Sequence, residues 1–253
     1  MIRRLMHTGL HVWISYKEKE FKTGGRRIKY LLQRNKRSNV LLVVFSGFST
    51  DRPTYNYIRT LWKIRNLNKL FILDDFGYKN RGSYYLMENG DDYIFKMCTL
   101  LIQDCMKKLS VEKLYCAGSS KGGTAAIIYG CKLGADAVIS GAPQYYIGDY
   151  LDTDDHRELL RGMLGASMQE ADIVSLNQVV KREIKKCITK PEIFLHYSPN
   201  EHTYAEHICF LLEQLRKCDF VIHEDIERYT EHSDVADYYG TYLCQVIGGL
   251  ELA

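Results

Sequence analysis

Lys113-Leu-Tyr-Cys-Ala-Gly118-Ser-Ser120-Lys-Gly122-Gly-Thr-Ala-Ala-Ile-Ile-Tyr-Gly130 is the stretch on which the reading of this chain turns. An apolar run gives way to Gly-Ser-Ser-Lys-Gly-Gly and then to a small-residue helical pattern, so the segment predicts strand, sharp turn, helix. A G-x-S-x-G in that setting is a nucleophile elbow, with Ser120 on a strained turn and its hydroxyl lifted above a sheet. Gly118 and Gly122 leave room for tight strand-to-helix packing. The backbone N–H of Lys121, at the start of the new helix, faces a developing oxyanion. A glycine- and serine-rich tetrapeptide alone is only a turn, and the flanking patterns carry the assignment.

Outward from the elbow, strand and helix patterns alternate. Two strands, His11 to Phe21 and Arg26 to Gln33, are expected around a Thr23-Gly-Gly25 turn. Val40 to Phe45 is a continuous apolar run with the β-branched content of a strand covered on both faces. A helix over about Pro53 to Leu67 follows, with Tyr57, Ile58, Leu61 and Ile64 near one face, then a strand at Leu70 to Leu73. After a helix over about Tyr93 to Leu109 come the elbow, a strand at Ala137 to Ser140, and another at Glu192 to His196. A helix over about Tyr204 to Lys217, a strand at Phe220 to His223 and a last helix from about Ser233 to Ile247 complete the order. The alternation implies a mostly parallel sheet with helices on both faces, an α/β class, and with the elbow an α/β-hydrolase fold. A single domain over residues 1–253 is expected. Its helical insert at about 143–190 is either a cap over the carboxyl ends of the strands or a longer packed crossover.

Composition fits this. The 253 residues are 46% hydrophobic and 26% charged, enough for one sizeable core. No run approaches the roughly 20 apolar residues of a membrane span, and the amino terminus lacks a signal-peptide core, so a cytoplasmic protein is expected. Eight cysteines without a C-x-x-C pair read as small buried hydrophobes rather than disulfides or a metal site. Residues 1–37 carry eleven Lys or Arg against Glu18 and Glu20, so a net charge of +3 hides a basic segment on an otherwise acidic chain. That segment either attracts an anionic partner or decorates exposed edge strands. No nucleic-acid module is recognisable.

If Ser120 is a nucleophile it needs a base and a group orienting that base. In this fold the order is Ser, then Asp or Glu, then His. His232, in Tyr229-Thr-Glu-His-Ser-Asp just before the terminal helix, stands where the base belongs. Glu201 is the only carboxylate in the loop after the preceding strand, His196-Tyr-Ser-Pro-Asn-Glu201; Asp225 or Glu224 beyond the last strand are alternatives. A second oxyanion donor is expected from the Ser46-Gly47-Phe48-Ser49 loop, from the N–H of Gly47 or Phe48. His202 and His207, five apart, do not share a helix face, and no metal site is expected.

Phe45-Ser-Gly-Phe48, Tyr55-Asn-Tyr-Ile58, Arg81-Gly-Ser-Tyr-Tyr85, Gly118-Ser-Ser-Lys-Gly-Gly123 and Ala142-Pro-Gln144, in this order, resemble the capsule polysaccharide O-acetyltransferases of the meningococcal serogroup A type, over about residues 40–245. The resemblance implies an α/β-hydrolase fold that uses acetyl-CoA as donor and a capsular or other surface polysaccharide hydroxyl as acceptor. It implies Ser120 as nucleophile and His232 as base, with Glu201 where the family has an aspartate. It makes Arg81 a substrate or phosphate contact by its place in the matched segment. It implies no permanently bound cofactor, and a cytoplasmic enzyme peripheral to the inner membrane beside a capsule assembly complex. An esterase or deacetylase would use the same residues with water as acceptor. A non-catalytic polysaccharide-binding protein would need one of the three positions broken, and none is.

Overall fold

The structure, a computed structural model, describes residues 13–48 and 52–250. Among them an eight-stranded sheet runs in the order β1-β2-β4-β3-β5-β6-β7-β8. Its strands are β1 (Lys19–Thr23), β2 (Arg26–Gln33), β3 (Val40–Phe45), β4 (Asn68–Ile72), β5 (Lys113–Ser119), β6 (Ala137–Gly141), β7 (Glu192–Tyr197) and β8 (Ile222–Ile226). β1 and β2 form an antiparallel hairpin, β2 joins β4 antiparallel, and every other pairing is parallel. Gly24 and Gly25 close the hairpin with φ of 57° and 77°, the left-handed pair that a two-residue hairpin loop demands.

The central strands read as apolar runs because both faces are covered. Along β3, Leu41, Val43 and Phe45 enter one core, and Leu42 and Val44 enter the other, the two-residue period of a pleated strand. The first core lies under α1 (Tyr93–Leu109) and α2 (Lys121–Leu133). α1 buries Ile94, Met97, Cys98, Leu101, Ile102 and Cys105, a stripe at helical spacing. The second core lies under the terminal helix, Val235–Leu250, through Tyr239, Leu243 and Ile247. Each such fully buried side chain contributes about 1.5–3 kcal/mol of transfer free energy.

Between β6 and β7 the chain forms α3 (Ile147–Leu151), α4 (Arg157–Leu164), α5 (Glu170–Asn177) and α6 (Val179–Lys186). α6 packs along α2, whereas α3 packs on α4 and α5. α7 (Cys209–Lys217) follows β7 after a π-helical turn at Tyr204–Ile208, and α8 is the terminal helix Val235–Leu250.

Four local expectations need correction. Residues 13–17 form one helical turn and the first strand starts only at Lys19; His11 and Val12 lie outside the described residues. In place of a helix over 53–67 there is one 3-10 turn, Thr60–Lys63. Tyr57 takes φ 61° and its hydroxyl reaches across the sheet edge to Ser119 Oγ at 2.5 Å, so a tertiary contact overrides the helical pattern, although Ile58 and Leu61 are still buried. The last strand runs Ile222–Ile226, which puts Glu224 and Asp225 within it rather than beyond it. Cys209 is exposed, and Cys218 and Cys244 are half-buried, so only the other five cysteines are buried hydrophobes.

A Cβ on Gly118 would lie 2.5 Å from the Gly122 carbonyl and 2.8 Å from Phe45 O, both backbone atoms. Gly118→Ala is therefore expected to destabilise the protein by about 3 kcal/mol, read as a lowered urea midpoint at unchanged m-value.

Candidate active site

Ser120 sits between β5 and α2 at φ 53°, ψ −127°. A non-glycine residue there stores about 1–3 kcal/mol of strain and persists only when its surroundings hold it. The Ser120 N–H donates to Gly141 O at 2.7 Å, and Ser120 O accepts the Thr124 N–H at 3.0 Å. The Gly118 N–H donates to Tyr239 Oη at 3.0 Å, and that hydroxyl donates to Ile139 O at 2.6 Å. α8 thus clamps the strand end from one face while α2 covers the other. The two adjacent serines divide between the faces: Ser119 Oγ meets Tyr57, and Ser120 Oγ faces the site.

His232 Nε2 lies 2.8 Å from Ser120 Oγ, and His232 Nδ1 lies 2.5 Å from Glu201 Oε1. The same carboxylate oxygen accepts the Thr203 hydroxyl at 2.8 Å. Two loops create this line. Ser198 Oγ, just after β7, donates to Tyr229 O, just after β8, at 2.6 Å, which ties the Glu201 loop to the His232 loop. Burial alone would raise the Glu201 pKa, but the hydrogen bond and charge of His232, with Thr203, hold the carboxyl below its ordinary value.

The alternative carboxylates are engaged elsewhere. Asp225 meets the fully buried His196 Nδ1 at 2.6 Å, and Glu224 accepts from Tyr197 Oη and Arg216, both at 2.7 Å. Arg81 ends the 3-10 turn Tyr78–Asn80, and none of the hydrogen bonds described at Ser120, His232 or Glu201 reaches it. As first residue of α2, Lys121 holds its N–H outside the helical ladder. In the loop after β3 the Ser46 N–H is spent on Tyr85 Oη at 2.6 Å, while Gly47 lies against Ser119 O, 3.6 Å from where its Cβ would stand.

Three features of the site were not read from the sequence. The Lys121 side chain is buried and its Nζ donates to Asp74 Oδ2 at 2.5 Å, with the ammonium 4.6 Å from the centre of the Tyr85 ring. Asp74 also accepts from the N–H groups of Ser83 and Tyr85 at 2.9 and 3.1 Å. Burial pulls the Lys121 pKa below its ordinary value, against the pull of Asp74. Second, Gln144 donates from Nε2 to Ser120 Oγ at 3.3 Å. Its amide is oriented by the Tyr84 hydroxyl on Oε1 at 3.2 Å, and its own N–H donates to Thr124 Oγ1 at 2.8 Å. Asp74 and Gln144 both follow strand ends at the carboxyl edge, where ligands bind in open α/β sheets, and that position was the available signal. Third, Tyr150 and His156 of the insert stack at 5.2 Å, with Tyr150 6.4 Å from the His232 ring and His156 6.3 Å from that of Phe48, forming an aromatic wall beside the serine.

No protein-family model and no curated protein sequence matches the chain. Among solved structures it is similar to the capsule O-acetyltransferase of Neisseria meningitidis serogroup A, at TM-score 0.73 and 20% identity over 92% of this chain and 99% of that one. A mutant of that enzyme in complex with CoA aligns at TM-score 0.73 and 21% identity over 91% and 94%. A fluorophosphonate-binding serine hydrolase of Staphylococcus aureus aligns at TM-score 0.64 and 13% identity over 91% and 96%. The chain has the α/β-hydrolase fold that its elbow and strand order lead one to expect.

His207 backs the aromatic wall. Its Nδ1 accepts the Tyr146 N–H at 3.3 Å, its ring meets Tyr150 at 5.6 Å, and burial pushes its pKa from 6.5 down to about 4. Below pH 6.5 the unfolded chain binds a proton that the folded one refuses, so this residue makes stability fall as the pH drops from 6.5 towards 4, by up to about 3 kcal/mol. Urea unfolding of wild type and His207→Gln at intervals across that window should show a shallower acid loss in the variant.

Proposed function

We propose that this protein is an O-acetyltransferase that moves an acetyl group from acetyl-CoA to a hydroxyl of a capsular or other cell-surface polysaccharide. The observation that carries the reading is the hydrogen-bonded line Glu201–His232–Ser120 at a strained elbow. The likeness to a capsule O-acetyltransferase, one of whose structures holds CoA, supports the choice of donor and acceptor.

In the first half-reaction His232 Nε2 takes the Ser120 proton as Oγ attacks the thioester carbonyl. Glu201 holds the Nδ1–H tautomer and stabilises the imidazolium. The N–H of Lys121 and that of Gly47 or Phe48 receive the oxyanion, where each donor is worth about 3 kcal/mol of barrier. The C–S bond then breaks, the thiolate takes the proton from His232, and an acetyl ester remains on Ser120. In the second half a sugar hydroxyl gives its proton to His232 and attacks that ester; the bond from the acyl carbon to Ser120 Oγ breaks, and His232 returns the proton to Oγ, which restores the serine. Gln144 holds Ser120 Oγ in its attacking rotamer, and the Tyr150–His156 wall limits the access of water, the competing acceptor. On this reading the enzyme works on the cytoplasmic side of the membrane, where a CoA thioester donor is at hand, beside capsule assembly. Among the described residues no helix is long and apolar enough to cross a membrane. The likeness to a serine hydrolase makes a carbohydrate esterase the rival, with Ser120, His232 and Glu201 unchanged.

Incubation with acetyl-CoA alone, followed by intact mass, should show one added acetyl group on the wild type and none on Ser120→Ala. Thiol release should then quicken when the polysaccharide acceptor is added. An equal rate with and without any capsular polymer, with acetate as the only product, would favour the esterase.

The two carboxylates should separate cleanly. Glu201→Gln is expected to lower kcat by about 10³-fold or more with the fold intact. Asp225→Asn, which loosens the buried His196 instead, should lower the thermal midpoint and leave turnover near that of wild type.

A further inference from the structure

The basic segment divides in two. Arg26, Arg27 and Lys29 pair with Asp91, Glu20 and Asp75, so they are edge-strand charges already compensated. Arg34, Lys36 and Arg37, on the loop between β2 and β3, are exposed and make no ion pair among the described residues. With the exposed Arg65 they line a cleft of about 670 Å³ that also holds Trp13 and Trp62. These are the two tryptophans of the chain. Their rings meet edge to face at 5.3 Å, and Trp62 is 44% exposed.

The cleft is built rather than incidental. Asn35 donates its N–H to Asn68 Oδ1 at 2.9 Å and its side-chain amide to Arg65 O at 2.8 Å, while its own Oδ1 accepts the Arg37 N–H at 2.9 Å. The buried Asn68 returns Nδ2 to Ser38 O and Val40 O at 3.2 and 3.0 Å. The other wall, the turn carrying Trp62, is pinned by the buried Lys69, whose Nζ donates to Leu61 O and Ile64 O at 2.7 and 2.5 Å. Two buried polar side chains at the start of β4 are thus committed to holding the walls, and their desolvation costs stability that an unused surface would not require. The result is a preorganised site, which lowers the entropy lost on binding.

We propose that this cleft binds a polyanionic polysaccharide at a second, non-catalytic site. The indoles offer the flat apolar faces on which a pyranose ring can lie, and three guanidinium forks match carboxylate or phosphate geometry. A bilayer surface is flat and would meet only the rim of a concave cleft. A nucleic acid would call for a longer cationic track than four side chains in one cleft. The choice of polysaccharide within the polyanions rests on the proposed function. The cleft lies at the amino ends of β3 and β4, and Ser120 at the carboxyl end of β5. Parallel strands of six residues separate these edges by about 20 Å. A long acceptor chain could therefore be held at one edge while a distant unit is acetylated at the other.

Because both tryptophans line the cleft, intrinsic tryptophan fluorescence reports on it. Titration with polygalacturonate oligomers of about ten units should change the emission. The effect should weaken as salt shortens the Debye length from roughly 10 to 3 Å. Dextran oligomers of equal length should leave the emission unchanged, and Arg34→Gln/Arg37→Gln/Arg65→Gln should weaken apparent affinity about tenfold or more. Hydrolysis of p-nitrophenyl acetate should stay within about twofold of wild type in that variant, since the cleft is remote from Ser120. The site is overturned by no response to polygalacturonate, or by a response undiminished in the variant. An equal or stronger response to a single-stranded oligonucleotide of matched charge, or to phosphatidylglycerol vesicles, overturns the polysaccharide assignment. Failure of the acyl-enzyme assay with binding intact would remove the proposed reaction and leave the cleft.

Discussion

The corner at which β5 becomes α2 governs the rest of the site. There the backbone of Gly118 and Gly122 touches the end of β3, and that of Gly123 touches the end of β6, at distances that leave no room for a Cβ. This close approach allows Ser120 to keep a left-handed φ of 53°, because neighbouring strands leave the chain no other path. Strain held this way costs stability and fixes the Ser120 conformation in advance.

Around that corner lies a shell of buried polar groups that an apolar core would not need. Lys121 is turned inward onto Asp74, so the residue that follows the elbow serine is anchored by its side chain as well as by its place at the start of α2. A buried ion pair brings little net stability against well-packed apolar groups, yet loss of either partner leaves an uncompensated charge and is expensive. Such a pair serves better to fix a position than to stabilise the fold. The Tyr84–Gln144–Ser120 chain acts in the same sense, with each donor orienting the next. The wall of Tyr150, His156 and Phe48 closes the other side.

The sheet also separates two kinds of polar investment. At its carboxyl edge buried polar residues hold the elbow serine and the side chains around it. At the amino edge Asn68 and Lys69 hold the walls of a cationic, tryptophan-lined cleft. Both edges use short segments fixed by side-chain hydrogen bonds to backbone carbonyls or N–H groups, which position loops without lengthening the strands.

Local patterning was sufficient for the parallel sheet, the helices on its faces and the elbow, because apolar periodicity and glycine spacing report burial and turns within a few residues. Chain order pointed to His232, and Glu201 stood out as the one carboxylate in the loop after β7 while Asp225 and Glu224 stayed open; the structure hydrogen-bonds His232 to Ser120 on one side and to Glu201 on the other. Contacts between distant segments were not legible. The reach of Tyr57 to Ser119 dissolves a helix that the pattern over 53–67 favours. The register of β8 on β7 turns Asp225 onto His196 rather than His232. The partners of Lys121 and Ser120, Asp74 and Gln144, stand 47 and 24 residues away. Which basic residues are compensated and which line a cleft likewise depends on Asp91, Asp75 and Arg65 folding back beside β2. Periodicity encodes which face of an element is buried, whereas the identity of the atom it meets is set only when the sheet has closed.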